Sequence, residues 1–248
     1  MNRKDYKLSK KIINQVQYTT DETIKKNKLI EPKDRILIGI SGGIDSLVML
    51  ETLATKQKYY DYQFQLTAVH VNVENIEYSV DKEQLQNFCD NLKIPLVFIN
   101  TYINIDEKQI TTNPCFICSW NRRKQLFNYA KENKFNKLAL GHHLNDAVET
   151  FLMNILYHST ICSLPTNLKM FSGRMHLIRP LINIDKSKIE KYAAYRAIKS
   201  LDKKCQFADA SKRSKLYFLI EELKKMNPQA EQNIFNSLSK ISTEYLPT

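Results

Sequence analysis

The sequence predicts an α/β fold: a parallel sheet with helices on both faces, followed by a small helical C-terminal region. Three observations carry this. Short apolar runs rich in β-branched residues alternate with stretches of helical periodicity across residues 31–158, the pattern that builds strand-helix-strand units. A glycine turn, Ser41-Gly42-Gly43, joins the first such run to the first of those helices. Beyond about residue 158 the alternation gives way to helical periodicity with little strand signal.

The elements follow in order. Residues 8–29 repeat apolar side chains at helical spacing, and Glu31-Pro32 closes that helix, so residues 1–30 are expected as an N-terminal helix. Ile36-Leu37-Ile38-Gly39-Ile40 reads as the first strand and residues 47–53 as the helix after it. A second strand is predicted at 64–71, a helix at 80–92 and a third strand at 95–100. A helix over 120–133, a short strand at 137–140 and a helix over 145–157 complete an α/β domain at 31–158. Residues 159–172 read as irregular and 176–181 as a short extended piece; Asp185 is suited to cap a helix over 186–198. Two last helices, 214–226 and 229–241, are split by Asn227-Pro228. Residues 159–248 are thus expected to complete the sheet and add a basic helical region. There is no internal repeat and no low-complexity tract. Ligands of parallel sheets sit beyond the carboxyl ends of the strands, which places the turn at Ser41 and Gly141-His142-His143 on one edge.

Composition narrows the partners. A formal charge of +11 favours a polyanion. No apolar run approaches the roughly 18 residues a membrane span needs, and Met1-Asn2-Arg3-Lys4-Asp5 lacks the apolar core of a secretion signal. A reducing, cytoplasmic setting is therefore expected, and the five cysteines read as metal-binding or catalytic before disulfide-forming.

Ser41-Gly42-Gly43-Ile44-Asp45-Ser46 lies between a strand and a helix. Two glycines let backbone N–H groups approach an anion, the helix start adds donors and a positive dipole end, and two serines add hydroxyls. The span is too short for the common P-loop and lacks its lysine. The pattern resembles the PP-loop ATP pyrophosphatases (adenine-nucleotide α-hydrolase-like fold). That likeness implies ATP cleavage between the α- and β-phosphates and adenylation of a substrate oxygen. Gly141-His142-His143-Leu144-Asn145-Asp146 occupies a second strand-to-helix junction. A carboxylate beside phosphates requires a bridging divalent cation, so Asp45 and Asp146 are expected to hold Mg²⁺ against the pyrophosphate. Gly141, His142 and His143 join Ser41, Gly42, Gly43, Asp45 and Ser46 as nucleotide-binding candidates.

Pro114-Cys115-Phe116-Ile117-Cys118 carries a second signal. Cysteines two residues apart can chelate zinc, hold an iron–sulfur cluster or form a redox pair, and a helix following from Ser119 would lower their thiol pKa. Cys89 reads as core, Cys162 as ambiguous, and Cys205 sits in a basic, polar run.

The run from Cys115, Cys118, Ser119, Arg122, Arg123, Leu126 and Phe127 through Ala139-Leu140-Gly141-His142-His143, Asn154 and Ile178-Arg179-Pro180-Leu181 closely resembles the tRNA 2-thiocytidine synthetase family. These are iron–sulfur, ATP-dependent tRNA sulfurtransferases. The likeness extends over residues 8–245, with Cys205 and Arg213 matching a downstream Cys and Arg. It implies that Cys115, Cys118 and Cys205 ligate a [4Fe-4S] cluster with one iron open to a labile sulfur. Adenylation of the C2 oxygen of an anticodon-loop cytidine would follow, then replacement by sulfur and release of AMP and pyrophosphate. Asp45, Asp146 and the three cysteines would be the catalytic set. tRNA, a sulfur donor (a cysteine desulfurase or another persulfide or sulfide source) and a homodimer are the implied partners. The chain departs from the family pattern at Ile44, usually Lys; at Asn145, where the family pairs two aspartates; and at Asp202, usually Cys.

Lys186, Lys188, Lys191, Arg196, Lys199, Lys203, Lys204, Lys212, Arg213 and Lys215 outnumber the acids around them and suit RNA phosphates. Two rivals stand beside this reading. A tRNA lysidine synthetase-like ligase would explain the phosphate loop but not the cysteines. A non-catalytic nucleotide- or RNA-binding protein with structural zinc would accommodate Ile44 and Asn145.

Overall fold

The strand Arg35–Gly39 (β1) carries Ile36, Leu37 and Ile38, and all three are fully buried. Side chains alternate across a strand, so Ile36 and Ile38 enter one apolar cluster and Leu37 enters another on the opposite face. That two-sided burial makes β1 a central strand. The computed structural model describes residues 3–76, 80–103, 114–201 and 212–245.

The helix Arg3–Lys26 (α1) precedes β1. Then follow α2 (Ile44–Tyr59), β2 (Gln65–Val73), α3 (Lys82–Leu92), β3 (Leu96–Thr101), α4 (Pro114–Glu132), β4 (Lys137–Ala139) and α5 (Leu144–His158). The chain continues through β5 (Asn167–Met170), β6 (Met175–Ile178), α6 (Lys186–Tyr195), α7 (Lys212–Met226), α8 (Ala230–Ser237) and a 3₁₀ turn at Thr243–Tyr245.

The sheet has six strands in the order β3-β2-β1-β4-β6-β5. All neighbours run parallel except β5 and β6. One face is covered by α1, α2, α3 and α6 through Val16, Ile24, Met49, Leu50, Leu53, Leu85, Ile189 and Tyr192. The other is covered by α4 through Leu126 and Ala130, packed on Leu37, Leu138 and Leu177. The chain steps outward from β1 to β3, then returns on the far side of β1 as β4. Strand order therefore reverses between β1 and β4, and the crevice at their carboxyl ends is where such sheets bind ligands.

Among the boundaries that differ from the sequence expectation, four have a definite physical reason. The stretch expected as irregular at 159–172 contains β5. Its residues Asn167-Leu168-Lys169-Met170 lack apolar alternation because β5 is an edge strand, and its register comes from β6 through Asn167 opposite Ile178. The helix expected from residue 120 begins at Pro114, proline being suited to a first helical position, so the cysteine pair lies inside the helix rather than ahead of it. Helix α6 stops at Tyr195 because Arg196 leaves the helical region and Ala197 takes a left-handed φ of 55°. The last helix ends at Ser237, short of 241. Among the described residues no helix is long and apolar enough to cross a membrane.

Leu37 has no exposed surface and packs between the sheet and α4. Leu37→Ala is expected to lower unfolding free energy by about 2–5 kcal/mol, read as a lower urea midpoint with an unchanged slope.

Candidate active site at the reversal of strand order

The turn after β1 is shaped by its own side chains. Gly42 has φ 96°, a left-handed conformation that glycine adopts without strain. The Ser41 N–H donates to Ser46 Oγ (3.2 Å), the Ser46 hydroxyl donates to the Gly43 carbonyl (2.8 Å), and the Gly43 N–H donates to Ser41 Oγ (3.2 Å). No side chain caps α2 at Gly43. Such a helix start is an anion site. Ile44 packs against the core.

His70 holds this turn from below. Its Nδ1 lies 2.9 Å from the Ile40 carbonyl, and burial pushes its pKa down to about 4. The ring is neutral at physiological pH, with Nδ1–H as the donor.

The second turn, after β4, touches the first. A Cβ on Gly141 would lie 3.1 Å from the Asp45 carbonyl carbon and oxygen and 3.2 Å from Ser46 Cα. Glycine therefore permits contact between the two turns across the β1–β4 boundary. The His143 N–H donates to Asp146 Oδ2 (2.9 Å), closing the first turn of α5. The buried His143 ring sits between two carboxylates, with Nε2 3.4 Å from Asp146 Oδ2 and 3.9 Å from Asp45 Oδ2. Asp45 Oδ1 is buried without a hydrogen-bond partner, and so is His143 Nδ1. An orphaned carboxylate oxygen beside an anion-binding turn fits a hard divalent cation.

Further groups complete the surroundings. The buried Arg179 donates from Nε to His142 Nδ1 (3.3 Å), and burial, aided by Arg123 and opposed by Asp146, pushes its pKa down to about 10. Asn145 donates to the buried Glu231 of α8, and its Oδ1 accepts the Lys186 N–H (2.8 Å). Glu231 lies 3.5 Å from Lys224 and beside Asp185. Burial raises its pKa to about 7, with Lys224 opposing and Asp185 reinforcing the shift. Lys186 Nζ stands 3.8 Å from Asp45 Oδ2. Arg179 and Asn145 stand in motifs of the sequence and Lys186 in its basic run; Glu231 and its contact with Asn145, 86 residues apart, carry no sequence signal.

The cysteine pair lies in the first turns of α4; further along that helix Gln125 Nε2 donates to Thr101 Oγ1 (3.1 Å) at the end of β3. Cys115 and Cys118 are three residues apart on this helix, on neighbouring turns, and Cys118 is half-buried. Cys205 lies outside the described residues, as do Asp202, Lys203 and Lys204. Leu201, just before them, donates its N–H to the Gly42 carbonyl (2.9 Å). Among the described residues no three His, Cys, Asp or Glu side chains are grouped to hold a metal. Cys89 is buried in the core, which raises its pKa to about 12. Cys162 is exposed and accepts a hydrogen bond from Asn154. Of the expected basic cluster, Arg196 is engaged by Glu51 at 2.6 Å, a structural contact.

A crevice of this kind, with a short serine-glycine turn in place of a P-loop, defines a nucleotide-binding PP-loop domain, and the PP-loop domain family model matches residues 12–217. A tRNA-cytidine(32) 2-sulfurtransferase 1 of Francisella philomiragia is 32% identical over 232 residues, covering 91% of this chain and 89% of its own. The corresponding enzyme of Bdellovibrio bacteriovorus is also 32% identical, over 88% of this chain and 85% of its own. By these similarities the chain belongs to the tRNA-cytidine(32) 2-sulfurtransferase family of PP-loop proteins. Among solved structures, the U34-tRNA thiolase NcsA from Methanococcus maripaludis with its [4Fe-4S] cluster shares the fold, with TM-score 0.78 and 24% identity over 96% of this chain and 81% of that one.

Gly141→Ala is expected to weaken ATP binding at least tenfold and to destabilise the protein by about 1–3 kcal/mol, measured by nucleotide titration and urea unfolding. Glu231 gives a pH test. Its folded pKa lies above its unfolded value, so the folded state holds the proton more tightly. Stability should fall as pH rises from the unfolded value to about 7. The wild type is expected to lose roughly 1–3 kcal/mol relative to Glu231→Gln over this window, seen in the difference between their urea midpoints.

Proposed function

We propose that this chain is an ATP-dependent tRNA thiolase acting on an anticodon-loop cytidine. The observation that carries the reading is the contact of Gly141 with Asp45 and Ser46, which joins a serine-glycine turn suited to phosphate and a histidine-carboxylate turn. Family membership supports tRNA as substrate.

Ser41, Gly42, Gly43 and Ser46 hold the ATP phosphates, and Asp45 and Asp146 would hold the Mg²⁺ that accompanies them. Gly141 sets the distance between the two turns. His143, fixed between Asp45 and Asp146, orients both carboxylates, while Arg179 steadies His142. The target base must leave its stack to reach the crevice, which a single-stranded loop permits. Its C2 oxygen attacks the α-phosphorus and pyrophosphate departs. Sulfur then takes the place of the adenylated oxygen at C2 and AMP leaves. Adenylation turns a poor oxygen leaving group into a good one, which is why nucleotide and sulfur chemistry share one chain.

Cys115, Cys118 and Cys205 would hold a [4Fe-4S] cluster. When bound, it supplies an iron with one position open to sulfur, because three thiolates leave the fourth iron without a protein ligand. The sulfur comes from a separate donor, a cysteine desulfurase or another persulfide or sulfide source. A homodimer is supported by the exposed apolar group Ile155, Leu156 and Ile161 at the end of α5. The cytoplasm, where tRNA and reduced thiols coexist, is the setting this reading requires.

Anaerobically purified protein is expected to contain iron and acid-labile sulfide, lost in Cys118→Ser and in Cys205→Ser. AMP and pyrophosphate should form only when tRNA is present, at rates lowered at least 100-fold by Asp45→Asn and by Asp146→Ala. Zinc or no metal would remove the cluster mechanism, and product formation without tRNA would remove the tRNA reading.

A further inference from the structure

A triphosphate brings several negative charges to a turn that has no cation of its own. Residues 41–46 contain neither lysine nor arginine, and Ile44, which opens α2, is packed into the core. Asp45 adds a further negative charge beside that turn. The helix start and the serine hydroxyls supply only partial positive charge, and a Mg²⁺ offsets only part of a triphosphate's charge, so a cation from elsewhere in the chain would complete the balance.

Lys186 is placed to supply it. Its Nζ stands 3.8 Å from Asp45 Oδ2, and its side chain is half-exposed. That separation is longer than a closed ion pair at about 2.7–2.9 Å, so the ammonium is not committed to Asp45. Its backbone, by contrast, is fixed. The Lys186 N–H donates to Asn145 Oδ1 (2.8 Å), and Asn145 is held from its other side by Glu231. Asp185 caps α6 by accepting the Ser187 N–H (2.8 Å). A lysine with an anchored backbone and an uncommitted ammonium, directed at the phosphate turn, is arranged to grip a mobile anion.

We infer that Lys186 is a phosphate-binding residue that reaches from the start of α6 to the β- and γ-phosphates of ATP and to the departing pyrophosphate, with Asn145 as its positioning residue. The inference rests on the reading that the turn at Ser41 binds ATP. It gives Asn145 a task suited to an amide. The amide oxygen accepts from Lys186 while the amide nitrogen donates to Glu231, and a carboxylate at that position would instead face Glu231 as a like charge.

The test is calorimetric titration of the full-length protein with ATP, pyrophosphate and AMP, each with Mg²⁺ and without tRNA. Lys186→Met keeps the aliphatic stem and removes the charge; Lys186→Arg keeps the charge. Lys186→Met is expected to raise the Kd for ATP and for pyrophosphate about tenfold, leave AMP within about twofold, and melt at the wild-type temperature. Lys186→Arg should restore ATP binding to within about threefold of wild type. Unchanged ATP and pyrophosphate affinities in Lys186→Met would overturn the inference, as would an equal loss for AMP, which marks a structural role. If the wild-type protein itself binds no ATP, the ATP-dependent reading fails and Lys186 loses its ligand with it. Wild-type ATP binding with an indifferent Lys186→Met overturns the inference alone.

Discussion

The close approach of Gly141 to Asp45 and Ser46 is the constraint on which the rest of the site depends. Two strand-to-helix turns meet there across the point where strand order reverses. Neither turn is sufficient chemically. The first offers hydroxyls, amides and one carboxylate; the second brings a buried histidine and another carboxylate. Side-by-side pairing of β1 and β4 fixes their relative height, because Ile36 lies opposite Lys137 and Ile38 opposite Ala139. A one-residue slip would turn every core side chain to the wrong face, so the hydrophobic core and the geometry of the crevice are specified by the same register.

Buried charge is handled in two distinct ways around this crevice. At the opposite end of the strands, Lys137 is buried and paired with Asp34 at 2.6 Å, a closed contact with a structural role. At the crevice, Asp45 retains an oxygen without a partner and Arg179 is buried against an imidazole rather than a carboxylate. Unsatisfied or loosely paired charge in a protein interior is costly. At the crevice a charged ligand would compensate it.

The legible part of this molecule was the part encoded locally. Ile36-Leu37-Ile38 and the β-branched run of β2 announce buried strands within a few residues, and the serine-glycine turn announces an anion site because its chemistry is contiguous. Edge strand β5 was not legible. Half of its surface faces solvent, no alternation is imposed on it, and its conformation is inherited from β6. The start of α4 was hidden because Cys115, Phe116, Ile117 and Cys118 form no amphipathic pattern. The link from Glu231 through Asn145 to Lys186 was also out of reach, since it joins three helices distant in sequence. Of the candidate ligands, the motif identified Asp45 and Asp146, but only the fold shows His143 lying between them.

The hairpin of β5 and β6 has a consequence for solubility at high concentration. An open sheet edge presents unpaired backbone groups on which another chain can add a strand, and proteins guard such edges by keeping them short, charged or sharply turned. Here the outermost strand on that side has only four residues, includes Lys169, and ends in a turn where Phe171, Ser172 and Gly173 all take positive φ. So abrupt a turn leaves little flat strand for a neighbour to extend. Among the described residues the one antiparallel pairing of the sheet thus acts as a stop against edge-to-edge polymerisation, a safeguard that a fully parallel continuation of the same strands would have lacked.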